Sequence, residues 1–268
     1  MSSNLYQRVR EPRSSYSRWQ PTTEEVVDHL INRRIRNNQN WVGAVCGETG
    51  SGKSYTALRI GEMVDPNFGA DSIVFSVKEF IDTFESRPPG SLVVFDEGQE
   101  WSSRRSMSKK NVELTDIMAM LRFTRVNVLF TVPNIRMVDI SLRRLMHGYL
   151  NVEPIDRAHA APRLRDKSFA RLYILHQQRR LGSEDDVRPL LPDVPITRGE
   201  ETRKLRINSV LFGAPAPALL ASYERRKHET FRARLRQARS ALGGGSSPPV
   251  PPPPLPGAAS GASLEGLM

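Results

Sequence analysis

A single cysteine, Cys46, stands in 268 residues. That excludes an internal disulfide and a zinc centre built from several thiolates, and it suits a chain made in a reducing compartment, for which the cytoplasm is the expectation. Histidine is scarce as well. His147, His159, His176 and His228 lack metal-ligand spacing, so no zinc is assigned. No run approaches the roughly 18 consecutive apolar residues of a membrane-crossing helix, and no integral membrane segment is expected. The opening MSSNLYQRVREPRSS has none of the apolar core of a signal peptide. Acidic residues are in deficit: Lys+Arg 39 against Asp+Glu 29 leaves +10. Such a balance favours a polyanionic partner, nucleic acid before a membrane surface.

What remains alternates short apolar runs with helical spacing. Residues 1–20 are basic and polar and read as a flexible arm. Thr22 and Glu25 form a T-x-x-E capping box ahead of Val26, Val27, Leu30, Ile31 and Ile35, which predicts a helix over about 23–36. Strands are then expected at 41–46, 72–75, 92–95, 126–132 and 148–152. Helices are expected from Ser54 to Val64, from a second capping box at Ser76 and Glu79 to about Phe84, through Leu114–Leu121, and over 138–145. Continuously apolar strands alternating with helices predict an α/β fold with a mostly parallel sheet of five or more strands, covered on both faces. Residues 21–155 would form this core, 156–215 a small β-rich appendage, and 216–242 a basic helix. From 243 to 268 the chain is rich in Pro, Gly and Ser, with a polyproline stretch at Pro248–Pro256, and is expected to be disordered.

The chemistry starts at Gly47-Glu48-Thr49-Gly50-Ser51-Gly52-Lys53-Ser54, which fits G-x-x-x-x-G-K-[ST] at every fixed position and lies between an apolar strand and a helix. Glycines let successive N–H groups turn inward as an anion nest, and the helix N-terminus adds its dipole. Lys53 supplies a point charge for the β- and γ-phosphates and the Ser54 hydroxyl a ligand for Mg²⁺; Tyr55 follows them on the helix. The run Leu92–Phe95 ends in Asp96 and Glu97. Asp96 is the expected holder of Mg²⁺ through water, and Glu97 the candidate to polarise a water attacking the γ-phosphate of ATP, or else a cap of the next turn. Thr131 and Asn134, near the end of the fourth strand, are candidate phosphate sensors if that strand lies between the two motif-bearing ones. Pro133 turning a strand end explains them equally well. Arg122 and Arg125, flanking the turn into that strand, lead the candidates to stabilise transition-state charge, in cis or from a neighbouring subunit, with Arg143 and Arg144 behind them.

The arrangement resembles the additional-strand, catalytic-glutamate NTPases, and within them the FtsK–HerA group. The residues Asn38-Gln39-Asn40-Trp41, Gly47–Ser54, Asp96-Glu97-Gly98-Gln99-Glu100-Trp101, Leu121-Arg122-Phe123, Thr131–Asn134 and Asp139–Arg144 look like those of zonular occludens toxin-like ATPases of archaea and their mobile elements and viruses. The likeness covers about residues 28–155. It implies a RecA-like P-loop fold, ATP hydrolysis with Mg²⁺, a homo-oligomeric ring and the pumping or moving of DNA, in a host cytoplasm or at a virion vertex.

A second constellation is the segment 223–239, whose seven basic residues outnumber Glu224 and Glu229. Leu220, Tyr223, Phe231, Leu235 and Ala238 keep helical spacing, interrupted by Lys227. Arg225, Arg232, Arg236 and Arg239 fall roughly opposite and are the candidate DNA-backbone contacts, an ordinary solvated face being the other explanation. No major-groove motif is present, so such contact would ignore sequence. The reading is thus an ATPase that translocates, packages or remodels DNA. An ATP-dependent assembly or secretion factor stands second, and a small-molecule kinase, disfavoured by Glu97, third.

Overall fold

Strands buried on both faces have no polar side to turn outward, and this governs the architecture. The computed structural model of the chain describes residues 18–96, 120, 123–155, 167–177 and 187–241. The expected arm up to residue 17, most of the helix near Leu114–Leu121, and the tail from 242 lie outside the described residues. Helix α1 (Thr23–Val27) starts on Thr22, whose side chain accepts from the Glu25 amide while Glu25 accepts from the Thr22 amide. It passes through a π-helical stretch at Asp28–Asn32 into α2 (Arg33–Arg36). Strand β1 (Val42–Cys46), helix α3 (Lys53–Val64), strand β2 (Ile73–Val74), helix α4 (Val77–Ser86) and strand β3 (Leu92–Phe95) follow. Then come strand β4 (Asn127–Val132), helix α5 (Ile140–Leu145) and strand β5 (Gly148–Glu153).

These strands pair in parallel in the order β5-β1-β4-β3-β2. Strand β4 therefore sits between β1 and β3, the strands that lead into the glycine-rich loop and the Asp96-Glu97 pair. Val45, Val94 and Leu129 point into one core, where Leu58 and Ile60 of α3 and Val27 and Ile31 meet them. Ala44, Val93, Phe95 and Phe130 point into the other, against Phe80 and Phe84 of α4 and Leu142 of α5. Period-2 alternation across two covered faces is why each strand is apolar throughout.

The stretch after 155 does not stand apart from this sheet. Strand β6 (Ser168–Gln177) pairs antiparallel with β5, and β10 (Ser209–Phe212) and β7 (Val187–Leu190) pair antiparallel with β6. Only β8 (Asp193–Arg198) and β9 (Glu201–Arg206) form a separate two-stranded ribbon. The β content expected there is present, but the sheet has no boundary at 155; β6 covers an edge that β5 would otherwise leave open. Helix α6 (Pro217–Ala241) closes the described chain. The chain divides into two compact units, Met1–Lys227 and His228–Met268.

Polar residues buried at the start of the strands fix their alignment. Asn127 accepts from the Trp41 amide at 2.8 Å and donates to the carbonyls of Gly90 and Ser91 at 3.0 and 3.1 Å. Asp65, where α3 stops, accepts from the Asn67 and Leu92 amides at 2.9 and 3.0 Å. Replacing Asn127 by Leu leaves the Trp41 N–H and the Gly90 carbonyl without these partners in the interior. Asn127→Leu should therefore lower the free energy of unfolding by about 2–4 kcal/mol. Denaturant titration checks this, and an unchanged midpoint would show that solvent replaces these bonds at no cost.

Candidate nucleotide-binding site

At the carboxyl ends of β1, β4 and β3 the register brings together what the motifs supply. Thr131 is paired with Val45, and Phe130 with Phe95, so Thr131 lies level with Asp96. The loop from Gly47 to Gly52 joins β1 to α3. Gly52, just before the helix, has φ +97°, a left-handed backbone that favours glycine. Gly47 is constrained by space as well. A Cβ there would lie 2.5 Å from the Val152 carbonyl oxygen and 2.7 Å from Ser51 Oγ. Its N–H donates to the Pro133 carbonyl at 3.2 Å, tying the loop to the end of β4. Lys53 Nζ donates to the Glu48 carbonyl at 2.7 Å, so its charge is folded over the loop.

Asp96 is the centre of the site and is fully buried. Its Oδ1 accepts from Ser54 Oγ at 2.8 Å and from Thr131 Oγ1 at 2.6 Å. Its Oδ2 accepts from the Tyr223 hydroxyl at 2.7 Å and from Lys227 Nζ at 3.1 Å, and Lys227 also donates to the Tyr223 oxygen at 2.9 Å. Burial by itself pushes this carboxyl upward. The Lys227 charge and the hydroxyls of Thr131, Tyr223 and Ser54 more than reverse that, and Asp96 is held below the usual carboxylate range. The same carboxylate outweighs the burial of Lys227 and keeps the ammonium charged; burial and Asp96 both raise the Tyr223 phenol. Cys46, which ends β1, is an inert strand residue: burial pushes its thiol up to about 12, against the opposing pull of Lys53.

A cleft of about 380 Å³ opens beside these groups, with Thr49, Gly50, Lys53 and Ser54 on the loop side and Thr131 and Pro133 at the end of β4. Its remaining wall includes Tyr223, Glu224 and Lys227 of α6; Tyr55, on the first turn of α3, donates to Glu224 at 3.1 Å. The Ser54 hydroxyl beside the Asp96 carboxylate is a pair of hard oxygen donors suited to Mg²⁺, which takes one or two carboxylates and completes its shell with water and phosphate oxygens. Among the described residues no group of three or more His, Cys, Asp or Glu forms an all-protein cage.

Not every expected site residue comes here. Glu97 and Arg122 lie outside the described residues. Asn134 turns its Oδ1 to the Arg136 amide at 2.9 Å, capping a short 3₁₀ turn, and is not part of the cleft wall. Arg125 sits at the opposite end of β4 from Thr131, with φ +58°, and donates to Asn38 at 2.9 Å. Six strand residues span roughly 20 Å, so Arg125 does not reach the cleft of its own subunit. Arg143 is half-buried in α5. Of the basic residues in α6, Arg225, Arg232, Arg236 and Arg239 are exposed, as are Phe231 and Leu235. The expectation that α6 lies outside the P-loop core is corrected for its first part, since Tyr223 and Lys227 bond directly to Asp96. The signal that could have found them was the interruption itself, a lysine in an otherwise apolar helical stripe, four residues after a tyrosine.

The family model described as zonular occludens toxin (Zot) matches residues 72–153. A search of curated protein sequences found no match. Among solved structures the chain is similar to the N-terminal domain of zonular occludens toxin from Neisseria meningitidis, with 18% identity over 50% of this chain and 83% of that one, at a TM-score of 0.35. It is similar to the FIGL-1 AAA domain in complex with ADP, with 12% identity over 48% of this chain and 51% of that one, at 0.35. The genome packaging NTPase B204 from Sulfolobus turreted icosahedral virus 2, in complex with ATP-gammaS, gives 9% identity over 52% and 97%, at 0.33. The matched stretch runs from just before β2 to the end of β5, and the loop Gly47–Ser54 precedes it. That loop on a sheet of this order is the arrangement of a P-loop NTPase fold, and over residues 72–153 the chain is similar to the Zot family.

Lys53→Ala removes the one basic residue of the loop Gly47–Ser54, the candidate phosphate contact. ATP binding should weaken by roughly 10–100-fold or more, given about 1.5–3 kcal/mol for a charged hydrogen bond. Titration with a fluorescent ATP analogue checks this, and affinity within twofold of wild type would remove Lys53 from the site.

Proposed function

We propose that this Zot-like chain is a Mg²⁺-dependent ATPase that translocates, packages or remodels DNA as a homo-oligomeric ring. The observation that carries the reading is the convergence of the Ser54 hydroxyl, the Asp96 carboxylate and the Thr131 hydroxyl within hydrogen-bond distance at the mouth of the P-loop. Ser54 and Asp96 would hold a magnesium ion, which would neutralise phosphate charge. The loop amides and Lys53 take the β- and γ-phosphates. Thr131, on the strand between the two motif-bearing strands, lies beside Asp96 and contacts the terminal phosphate or its water. Glu97, which follows Asp96 in the chain, orients and deprotonates the attacking water. Arg122 stabilises the developing charge, in cis or from a neighbouring subunit. Asn134, already engaged as a cap, is assigned no part, and Arg125 is left only a role across a subunit interface.

The polymer is argued from charge. Half of the +10 net charge lies in 223–239, and Arg225, Arg232, Arg236 and Arg239 are exposed there. Arginines in that setting bind phosphates by counterion release, without reading bases. Among the described residues no helix is long and apolar enough to cross a membrane.

Two expectations test this reading. Glu97→Gln preserves shape and removes the base, so nucleotide affinity should persist while ATP hydrolysis falls by roughly 100-fold or more. Turnover at the wild-type rate would end the water-activation role. The ATPase rate should rise with duplex or single-stranded DNA and lose that rise at higher salt. Replacing the four arginines with Gln should flatten the slope of log affinity against log salt by about one unit for each phosphate no longer neutralised, on the order of 1–4 in total. An unchanged slope would move the DNA surface elsewhere. Hydrolysis indifferent to DNA at both salt concentrations would favour a protein or filament as the cargo.

A further inference from the structure

The cleft contains a second lysine besides that of the P-loop. Lys227 reaches it from α6, and its side chain remains about one-third exposed, facing the space that a nucleotide would fill. Leu219, Leu220 and Tyr223, earlier on the same helix, pack against the core. Tyr223 is buried and stacked on Phe75 at 6.2 Å. A lysine following that apolar face is a poor choice for packing alone. It is explained by Asp96, because a fully buried carboxylate needs a countercharge, and Lys227 Nζ lies 3.1 Å from Oδ2.

The two carboxylate oxygens face different elements. Oδ1 is held from the P-loop side by Ser54 and from β4 by Thr131, and Oδ2 from α6 by Tyr223 and Lys227. A divalent cation beside Ser54 would share Asp96 with Lys227, and two positive centres a few ångströms apart repel. The same magnesium nucleotide brings anionic phosphate oxygens into the cleft that Lys227 lines. A lysine suits such an exchange, being a compact point charge on a flexible four-carbon stem with three donors. Tyr223 need not move with it, since its ring is fixed by the core and its hydroxyl keeps one bond to Oδ2.

We propose that Lys227 is an exchanging counter-ion: it holds Asp96 while the cleft is empty, gives it up when a magnesium nucleoside triphosphate binds, and moves to the terminal phosphate, so that the protein distinguishes triphosphate from diphosphate through α6. The inference rests on the reading of the cleft as a nucleotide site.

The test measures, on the full chain, dissociation constants for ATPγS and ADP with Mg²⁺ and with EDTA. In wild type with Mg²⁺ ATPγS should bind more tightly than ADP. Lys227→Met keeps the stem and removes the charge. It should reduce the ADP-to-ATPγS ratio of dissociation constants by roughly tenfold or more, with ADP affinity within about twofold. Lys227→Arg should restore most of the ratio. In EDTA, where Lys227 stays on Asp96, wild type and Lys227→Met should bind ATPγS alike. Lys227→Gln, which retains a donor for Asp96, replaces Lys227→Met in the comparison if the latter does not fold. An unaltered ratio in the folded variant, with only a lower melting temperature, would reduce Lys227 to a structural countercharge. A wild-type protein that binds neither nucleotide would overturn the nucleotide-site reading itself, and Lys53→Ala then loses nothing further.

Discussion

Asp96 ends a buried strand as a fully buried carboxylate, and burial of an unpaired charge there would cost more than the strand contributes. The surrounding chain answers with four donors from the three elements that meet at this point: Ser54 at the start of α3, Thr131 near the end of β4, and both Tyr223 and Lys227 from α6. These donors come from three separate stretches of sequence, so the carboxylate also dictates how those stretches align. The P-loop cannot drift from β4, because the Gly47 amide is bonded to Pro133 and Ser54 to the same carboxylate oxygen as Thr131. The start of α6 cannot lift from the sheet without leaving Oδ2 short of its lysine. One charge therefore sets the local geometry, and the electrostatics that keep it ionised are those that a magnesium ligand requires.

Much of this was legible in the sequence because it is encoded locally. The capping box Thr22/Glu25 forms both of its bonds, with Glu25 also held by Arg198 of the β8–β9 ribbon. The run Leu92–Phe95 is a strand at those residues. The second capping box formed only in part: Ser76 accepts from the Glu79 amide, but Glu79 turns to the Phe75 amide instead of that of Ser76. The P-loop was readable because left-handed glycines and a lysine at fixed spacing have few other uses. Of the strand order only the position of β4 between β1 and β3 was foreseen, as a condition on the placement of Thr131, and that condition is met.

What stayed hidden depends on pairing between distant segments. Strand β6 joins β5 edge to edge, and nothing in the local pattern of 168–177 states which sheet it will extend. Arg125 stood close in sequence to a strand whose far end carries the site, and proximity along the chain misled, because a strand carries its two ends apart. Lys227 was visible as an anomaly in a helical stripe without a visible partner. Its partner lies 131 positions away, across most of the fold.

Strand β4 shows how buried polar residues separate architecture from site. It carries Asn127 at one end and Thr131 near the other, both buried, in an otherwise apolar run. Asn127 is bonded to backbone groups of Trp41, Gly90 and Ser91, which are permanent features of the fold. That arrangement leaves nothing to exchange, and its effect is to hold the starts of β1 and β3 in register. Thr131 instead donates to a side-chain carboxylate whose other partners are the hydroxyls of Ser54 and Tyr223 and the Lys227 ammonium. A hydroxyl can turn its proton elsewhere and a lysine can leave, whereas a backbone amide in a sheet can do neither. The same strand thus bonds to the permanent backbone at its N-terminal end and to exchangeable groups at its C-terminal end. The polarity of a parallel sheet places all such C-terminal ends together, and so concentrates the exchangeable contacts beside the glycine-rich loop Gly47–Ser54.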